Sequence, residues 1–175
     1  MHARAQAFES AQIASTQLQT VTGVVYTHLH RTSDIQRKAQ LIDVHGQVHI
    51  CKPDRMEFII QKKAVVGFAT IQELIQQEQF DLAVERLVGF LELVKERCQK
   101  GFADRDLQIF KNFGFVDDQP VEIDVGDFKV DARMKDPANW RGEVIHISRE
   151  LLEFLRKHAP QLVPQFEARR DEVLQ

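Results

Sequence analysis

The alternation of apolar and polar positions divides the chain into a mixed first third and a strongly helical remainder. Residues 3–20 carry Ala, Gln, Glu and Leu without Gly or Pro, and Ala7, Ala11, Ala14 and Leu18 recur at helical spacing, which predicts a moderately amphipathic helix. From Thr20 to Leu29 the chain turns β-branched and aromatic, with Val21, Val24, Val25 and Tyr26, and this predicts a strand. Strands are expected over 39–44 and 47–51, joined at His45-Gly46, where glycine accepts the positive φ of a tight hairpin turn. Pro53-Asp54 interrupts the pattern, and the run Met56, Phe58, Ile59, Ile60 fits a strand or a helix start equally well.

Beyond residue 70 the period becomes that of helices. Thr70-Ile71-Gln72-Glu73 has the form of a capping box, in which hydroxyl and carboxylate satisfy each other's backbone amides, and a helix over about 70–78 follows. Between Phe80 and Lys100 the positions Leu82, Val84, Leu87, Val88, Leu91, Val94 and Cys98 repeat every three or four residues, as in a long core helix. Gly101 stands where such a helix should end, after Lys95, Arg97 and Lys100, whose charges suit the negative end of the dipole. Gly114-Phe115, Asp117-Asp118 and Pro120 read as strand ends and turn, and Val121-Glu122-Ile123 as a short strand delivering Asp124. Residues 131–141 read as polar loop. Ser148 is placed as the cap of a helix bearing Leu151, Leu152 and Leu155, ended by Pro160, with a last charged helix over 161–173.

Composition narrows the functional classes. With 175 residues, 43% of them hydrophobic, the chain can bury one substantial core. Lys and Arg number 23 against 26 Asp and Glu, and a net charge of -3 lacks the basic field that nonspecific nucleic-acid binding requires. Cys51 and Cys98 have no CxxC neighbour, which points to buried free thiols rather than a zinc site or a disulfide framework. No apolar run approaches the roughly 18 residues of a spanning helix, and the first residues lack a signal-peptide core. A cytoplasmic protein is expected, with secretion on an uncleaved signal as the alternative.

The most specific chemistry lies in two acidic segments. Ala103-Asp104-Arg105-Asp106, then Asn112, then Ile123-Asp124-Val125-Gly126-Asp127-Phe128 order carboxylate, amide and carboxylate as a phosphoryl-transfer site does, where one acid orients the attacking oxygen and an Asn and a second Asp hold magnesium. The plainer reading is two Asp-rich turns flanking a hairpin. Around them the element order is helix, three strands, short helix, long helix, aspartate loop, short strand, aspartate turn and helix. In this order Asp104-Arg105-Asp106-Leu107 is similar to the His-Arg-Asp-Leu loop of protein kinases, and Ile123-Asp124-Val125-Gly126 resembles their Asp-Phe-Gly turn. The stretch also resembles phosphoinositide kinases, and the chain as a whole looks like uncharacterised proteins of Chlamydia-related bacteria that carry Asn-Phe-Gly-Phe followed by Ile-Asp-Val-Gly.

The resemblance spans about residues 5–158 and is specific between 101 and 128. It implies an α+β, protein-kinase-like fold in a single domain over 1–175: a partial upper-lobe antiparallel sheet over about 1–60, and a mainly helical lobe over about 61–175, without the front half of the upper lobe. It implies Asp106, or else Asp104, as catalytic base, Asn112 and Asp124 as magnesium ligands, and ATP with Mg2+ as cofactors of an active enzyme. Two departures matter. Asp106 lies six residues before Asn112, and Asp104 eight, where the kinase pattern has five. No glycine-rich phosphate loop or lysine clamp precedes residue 20, and Glu9, at the helix-Glu position, has no evident partner. The first expectation is therefore a pseudokinase-like binding or regulatory module with a protein partner, and the second a phosphotransferase or the catalytic half of one.

Other features carry less. His28 and His30 share a strand face, yet zinc needs three or four converging ligands, so unliganded, exposed histidines are expected. Cys98 and Ser148 lack a nucleophile motif. Trp140 and Arg141 read as an edge anchor before a peptide-binding surface, and the segment Phe166 to Leu174 as a solvated face.

Overall fold

An N-terminal helix, α1 (His2–Thr16), opens the computed structural model, which describes residues 2–175. A helical turn, α2 (Gln19–Thr22), follows and ends at Gly23, whose φ of 66° is left-handed. Next come β1 (Val24–His28), β2 (Ala39–Ile42), β3 (Val48–Cys51), β4 (Phe58–Gln61) and the two-residue β5 (Val65–Val66). The helices α3 (Gly67–Gln76) and α4 (Phe80–Gln99) lead to β6 (Phe102–Asp104), the short α5 (Ile109–Asn112), β7 (Phe113–Val116), β8 (Gln119–Glu122) and β9 (Phe128–Val130). Two helices, α6 (Pro137–His158) and α7 (Val163–Val173), complete the chain.

The architecture is α+β with small antiparallel sheets. β1 pairs with β4, β2 with β3, β6 with β9, and β5, β7 and β8 form a three-stranded sheet. The β7–β8 hairpin turns through Asp117 and Asp118, both at positive φ (47° and 67°), the two-residue turn whose twist matches paired strands and which aspartate tolerates.

The core gathers around α4, whose buried residues include Val84, Leu87, Phe90, Leu91, Val94 and Cys98. They occupy more than one stripe because α3, α6, α7 and the β8 side all pack on this helix. α6 contributes Val144, Ile147, Leu151 and Leu155 at helical spacing, and α7 seals the end with Phe166. Close backbone approach needs glycine at two places. A Cβ on Gly67 would meet the Phe90 ring 2.5 Å away, and one on Gly114 would collide with the Val65 carbonyl oxygen of the neighbouring strand.

Several expectations from sequence are corrected. The helix expected through residue 20 breaks after Thr16, and 19–22 is helical rather than strand, so β1 starts at Val24. α3 begins at Gly67 with Val66 at its cap and no side-chain cap bond, so Thr70 lies inside the helix and the capping box does not form. Segment 131–141 is not loop: Asp136 accepts the Ala138 amide and starts α6 at Pro137, eleven residues before Ser148. Ser148 instead donates from mid-helix to the Ile145 carbonyl (2.8 Å). The undecided run at 56–60 is strand, because β1 offers it an antiparallel edge. No helix among the described residues is long and apolar enough to cross a membrane.

Candidate functional site

Gly101, at φ 90°, ends α4 and turns the chain directly into β6, so the first acidic segment emerges from the core. Phe102 and Ala103 are buried, and Asp104 with them. Burial pushes the Asp104 carboxyl above its ordinary range, opposed by the Asp106 amide it accepts (3.0 Å) and by the charge of Arg97. Asp106 is half-buried; its carboxylate accepts from the Gln108 side chain (2.8 Å), and its carbonyl accepts from Asn112 Nδ2 (3.0 Å). The Asn112 carbonyl in turn accepts the Ile123 amide (2.6 Å), so the amide loop is fastened to the chain just before Asp124. Asp124 is exposed, and its Oδ1 accepts the Gly126 amide (2.9 Å), closing a turn.

The two acidic segments are also joined at their other ends. Asp104 stands opposite Phe128 in the β6–β9 ladder, and the Arg105 amide donates to the Asp127 carbonyl (3.2 Å). From the opposite side α1 clamps the turn. Ser10, fully buried, donates to the Val125 carbonyl (2.6 Å) and accepts the Phe128 amide (2.7 Å), while Gln6 donates to the Asp127 carboxylate (2.8 Å). Glu9, considered from sequence for the helix-Glu position, is exposed, and its neighbours Gln6 and Ser10 make the contacts to the turn.

Beneath the loops lies a buried charge cluster that the dipole reading of Arg97 missed. Arg97 is 0% exposed; its Nε donates to Glu122 Oε1 (2.8 Å), and its terminal NH2 stands 3.5 Å from Glu143 Oε2. Among the described residues both terminal guanidinium nitrogens and the second Glu122 oxygen lack hydrogen-bond partners, and the guanidinium lies over the Phe128 ring at 5.9 Å. Burial pushes the Glu122 carboxyl up to about 7, against the attraction of Arg97, while Glu122 holds Arg97 firmly charged. One signal in the sequence pointed here: Arg97 falls on the α4 stripe, three residues after Val94 and beside Cys98, where a charge must find a buried partner.

Magnesium needs oxygen donors, which it takes from one or two carboxylates together with substrate phosphates. Asn112 Oδ1 and the Asp124 carboxylate are donors of that type, yet each side chain is already committed to its own loop through Asn112 Nδ2 and Asp124 Oδ1. Among the described residues no group of three or more His, Cys, Asp or Glu side chains is arranged to hold a metal ion.

Of the other candidates, His28 is buried rather than exposed and stacks between His30 and Phe58, at 6.0 and 5.1 Å between ring centroids. Cys98 is buried with its thiol pushed up to about 12 by burial, so it is protonated and inert; Cys51 is only half-buried. Trp140 is buried in the first turn of α6 under Lys95, and Arg141 donates to the carbonyls of Leu174 and Gln175, so Arg141 ties the start of α6 to the residues after α7. Comparisons with protein-family models, with curated proteins and with solved structures find no match.

Proposed function

We propose that this chain is a noncatalytic, kinase-like module that works by binding a protein partner. The observation that carries the reading is a surface rather than a catalytic site: none of the residues 29–66 is buried, although they include Leu41, Ile42, Val44, Val48 and Ile50, with Val44 95% and Ile42 72% exposed. Exposed apolar side chains gathered in one element, rather than scattered singly, mark an interaction surface. The acidic loops support the same reading, since Asp104, Asn112 and Asp124 each bond to backbone of their own loop and serve to shape it.

A second reading, an ATP- and magnesium-dependent phosphotransferase with Asp106 or Asp104 as base and Asn112 with Asp124 as metal ligands, draws on one specific observation. The bond from the Ile123 amide to the Asn112 carbonyl ties the two loops together, and Nδ2 bonded to the Asp106 carbonyl fixes the orientation of the Asn112 amide. Two measurements decide. A ligand at 100 times its Kd stabilises a fold by about 2.7 kcal/mol, so thermal melts with and without millimolar ATP and magnesium should coincide for a noncatalytic module. Asp124→Asn keeps an Oδ1 that can accept the Gly126 amide, so it should leave the urea midpoint nearly unchanged, equally with and without magnesium. Stabilisation by nucleotide, or a magnesium response that Asp124→Asn abolishes, would establish the phosphotransferase instead.

A further inference from the structure

We infer that the module's partner is a second copy of this chain, whose apolar, basic hairpin arm enters an acidic groove on its neighbour in a reciprocal exchange; the inference rests on the binding-module reading. The arm is the β2–β3 hairpin with its flanks. In its register Gln40 faces Ile50 and Ile42 faces Val48, and because side chains alternate across strands these four share one face. Ile42, Val48 and Ile50 on that face are 72, 57 and 59% exposed. Among the described residues neither strand pairs with anything but the other, and neither contains the Lys or Pro with which natural edge strands discourage pairing. A lone two-stranded hairpin is marginally stable in water, so this one has reason to be covered.

Charge selects what covers it. Residues 37–52, the hairpin and its base, carry three Lys and Arg against one Asp, whereas the rest of the chain carries twenty Lys and Arg against twenty-five Asp and Glu. Packing two arms face to face therefore brings like charges together, while the body of another copy offers the opposite sign. The body also offers a place. A groove of about 860 Å³ runs between the start of β1, α4 and the β7–β8 turn, with apolar residues including Leu93, Phe115, Pro120 and Val121 in its wall. Its rim bears Glu85, Glu92, Glu96, Asp117 and Asp118 against Lys62 and Arg86. Arg86 is taken by Asp118, and Glu96 by Lys100, which leaves Glu85, Glu92 and Asp117 to meet a cationic visitor. Arg37, Lys38 and Lys52, exposed at the base of the hairpin, are such groups. Reciprocity follows from area: a specific interface buries about 1,000 Å² or more in total, and two arms supply twice what one short hairpin can. An anionic membrane would also attract a basic apolar arm, but it would leave the acidic groove without a role.

The test is sedimentation velocity of the full chain across the micromolar range at low and high salt. A dimer is expected, weakened by salt because opposite charges hold it. Ile42→Lys with Val48→Lys in the arm, and separately Glu85→Lys with Glu92→Lys on the groove, should each raise the dimer Kd at least tenfold with an unchanged far-UV spectrum. Adding Lys38→Glu and Lys52→Glu to the groove variant should restore association. A monomer at every concentration, a dimer that salt strengthens, or a dimer indifferent to the groove variant would overturn the inference. So would cosedimentation of a monomeric chain with phosphatidylserine vesicles that is lost in the arm variant. These outcomes are separable from those of the previous section: nucleotide binding would remove the noncatalytic reading and leave the dimer, and a monomer without nucleotide binding would do the reverse.

Discussion

The arm and the body both organise themselves around carboxylates, in opposite surroundings. In the arm, Asp54 accepts from the Thr32 hydroxyl (2.6 Å) and from the amides of Ile35 (3.0 Å) and Gln36 (2.8 Å), while at the tip Asp43 accepts from the amides of His45 and Gln47 and pairs with His49 (2.9 Å). Each bond lowers the pKa of its aspartate, the Thr32 bond most for Asp54 and the His49 bond most for Asp43. The arm thus has shape without an apolar core, from charge-assisted bonds made in water. In the body, Arg97, Glu122 and Glu143 converge among apolar side chains, and burial overrides pairing, so that Glu122 shifts upward rather than downward. Solvent makes the difference: a solvated carboxylate gains from each donor it finds, while a buried one must first lose its water.

The contrast breaks first at Arg97. Arg97→Ala leaves Glu122 buried, and Glu143 half-buried, without their cation, and the expected loss is about 3–5 kcal/mol in urea unfolding. Arg97→Met combined with Glu122→Leu should recover much of it, since replacing a buried ion pair by apolar volume is often neutral. A cost below about 1 kcal/mol for Arg97→Ala would mean that the cluster is wet and that the contrast with the arm is false.

Gly114→Ala comes next, at roughly 1–3 kcal/mol, because its Cβ would push β5 away from β7 by striking the Val65 carbonyl, with the Ile123 side chain only 2.7 Å away. Disruption of the β5–β7 pair should appear as faster amide exchange at Val65 and Phe115.

The third effect is a slope with pH. A carboxyl whose folded pKa is about 7, against an ordinary value of 4.5, binds more protons folded than unfolded between those values. Its stabilising contribution is complete below about 4.5 and is withdrawn as pH rises through about 7; Asp104, also raised by burial, acts in the same sense. Urea midpoints should fall from pH 5 to pH 8, and Glu122→Gln should flatten that fall. The lowered Asp43 and Asp54 work oppositely, ordering the arm above the ordinary aspartate range and releasing it as acid protonates them.

The smallest global effect is the most diagnostic of the arm. Asp54→Ala should leave the urea midpoint nearly unchanged while amide protection over residues 32–56 collapses, since this carboxylate ties the two ends of the arm together. Loss of protection throughout the molecule would show that the arm folds as part of the body.

Local spacing was enough to read the long α4, its end at Gly101, the hairpins turning at Gly46 and at Asp117-Asp118, and the last helix, because their signals repeat within a turn or two of chain. The acidic segments were equally visible as residues, but Asp104 lies in β6 and Asn112 in α5 rather than in one open loop. Element boundaries failed where tertiary contact outweighed local preference: Thr70 has the form of a cap, yet Gly67 starts α3 one turn earlier where the Phe90 ring permits no Cβ. Only the folded chain decided which charges converge, since Arg97, Glu122 and Glu143 come from α4, β8 and α6 and no short window contains them. The fate of the acidic side chains was decided there too. A carboxylate's role follows from the donors that reach it, and those at Asp124 and Asp127, namely the Gly126 amide and Gln6 from α1, are set by the turn and by packing across more than a hundred residues of chain.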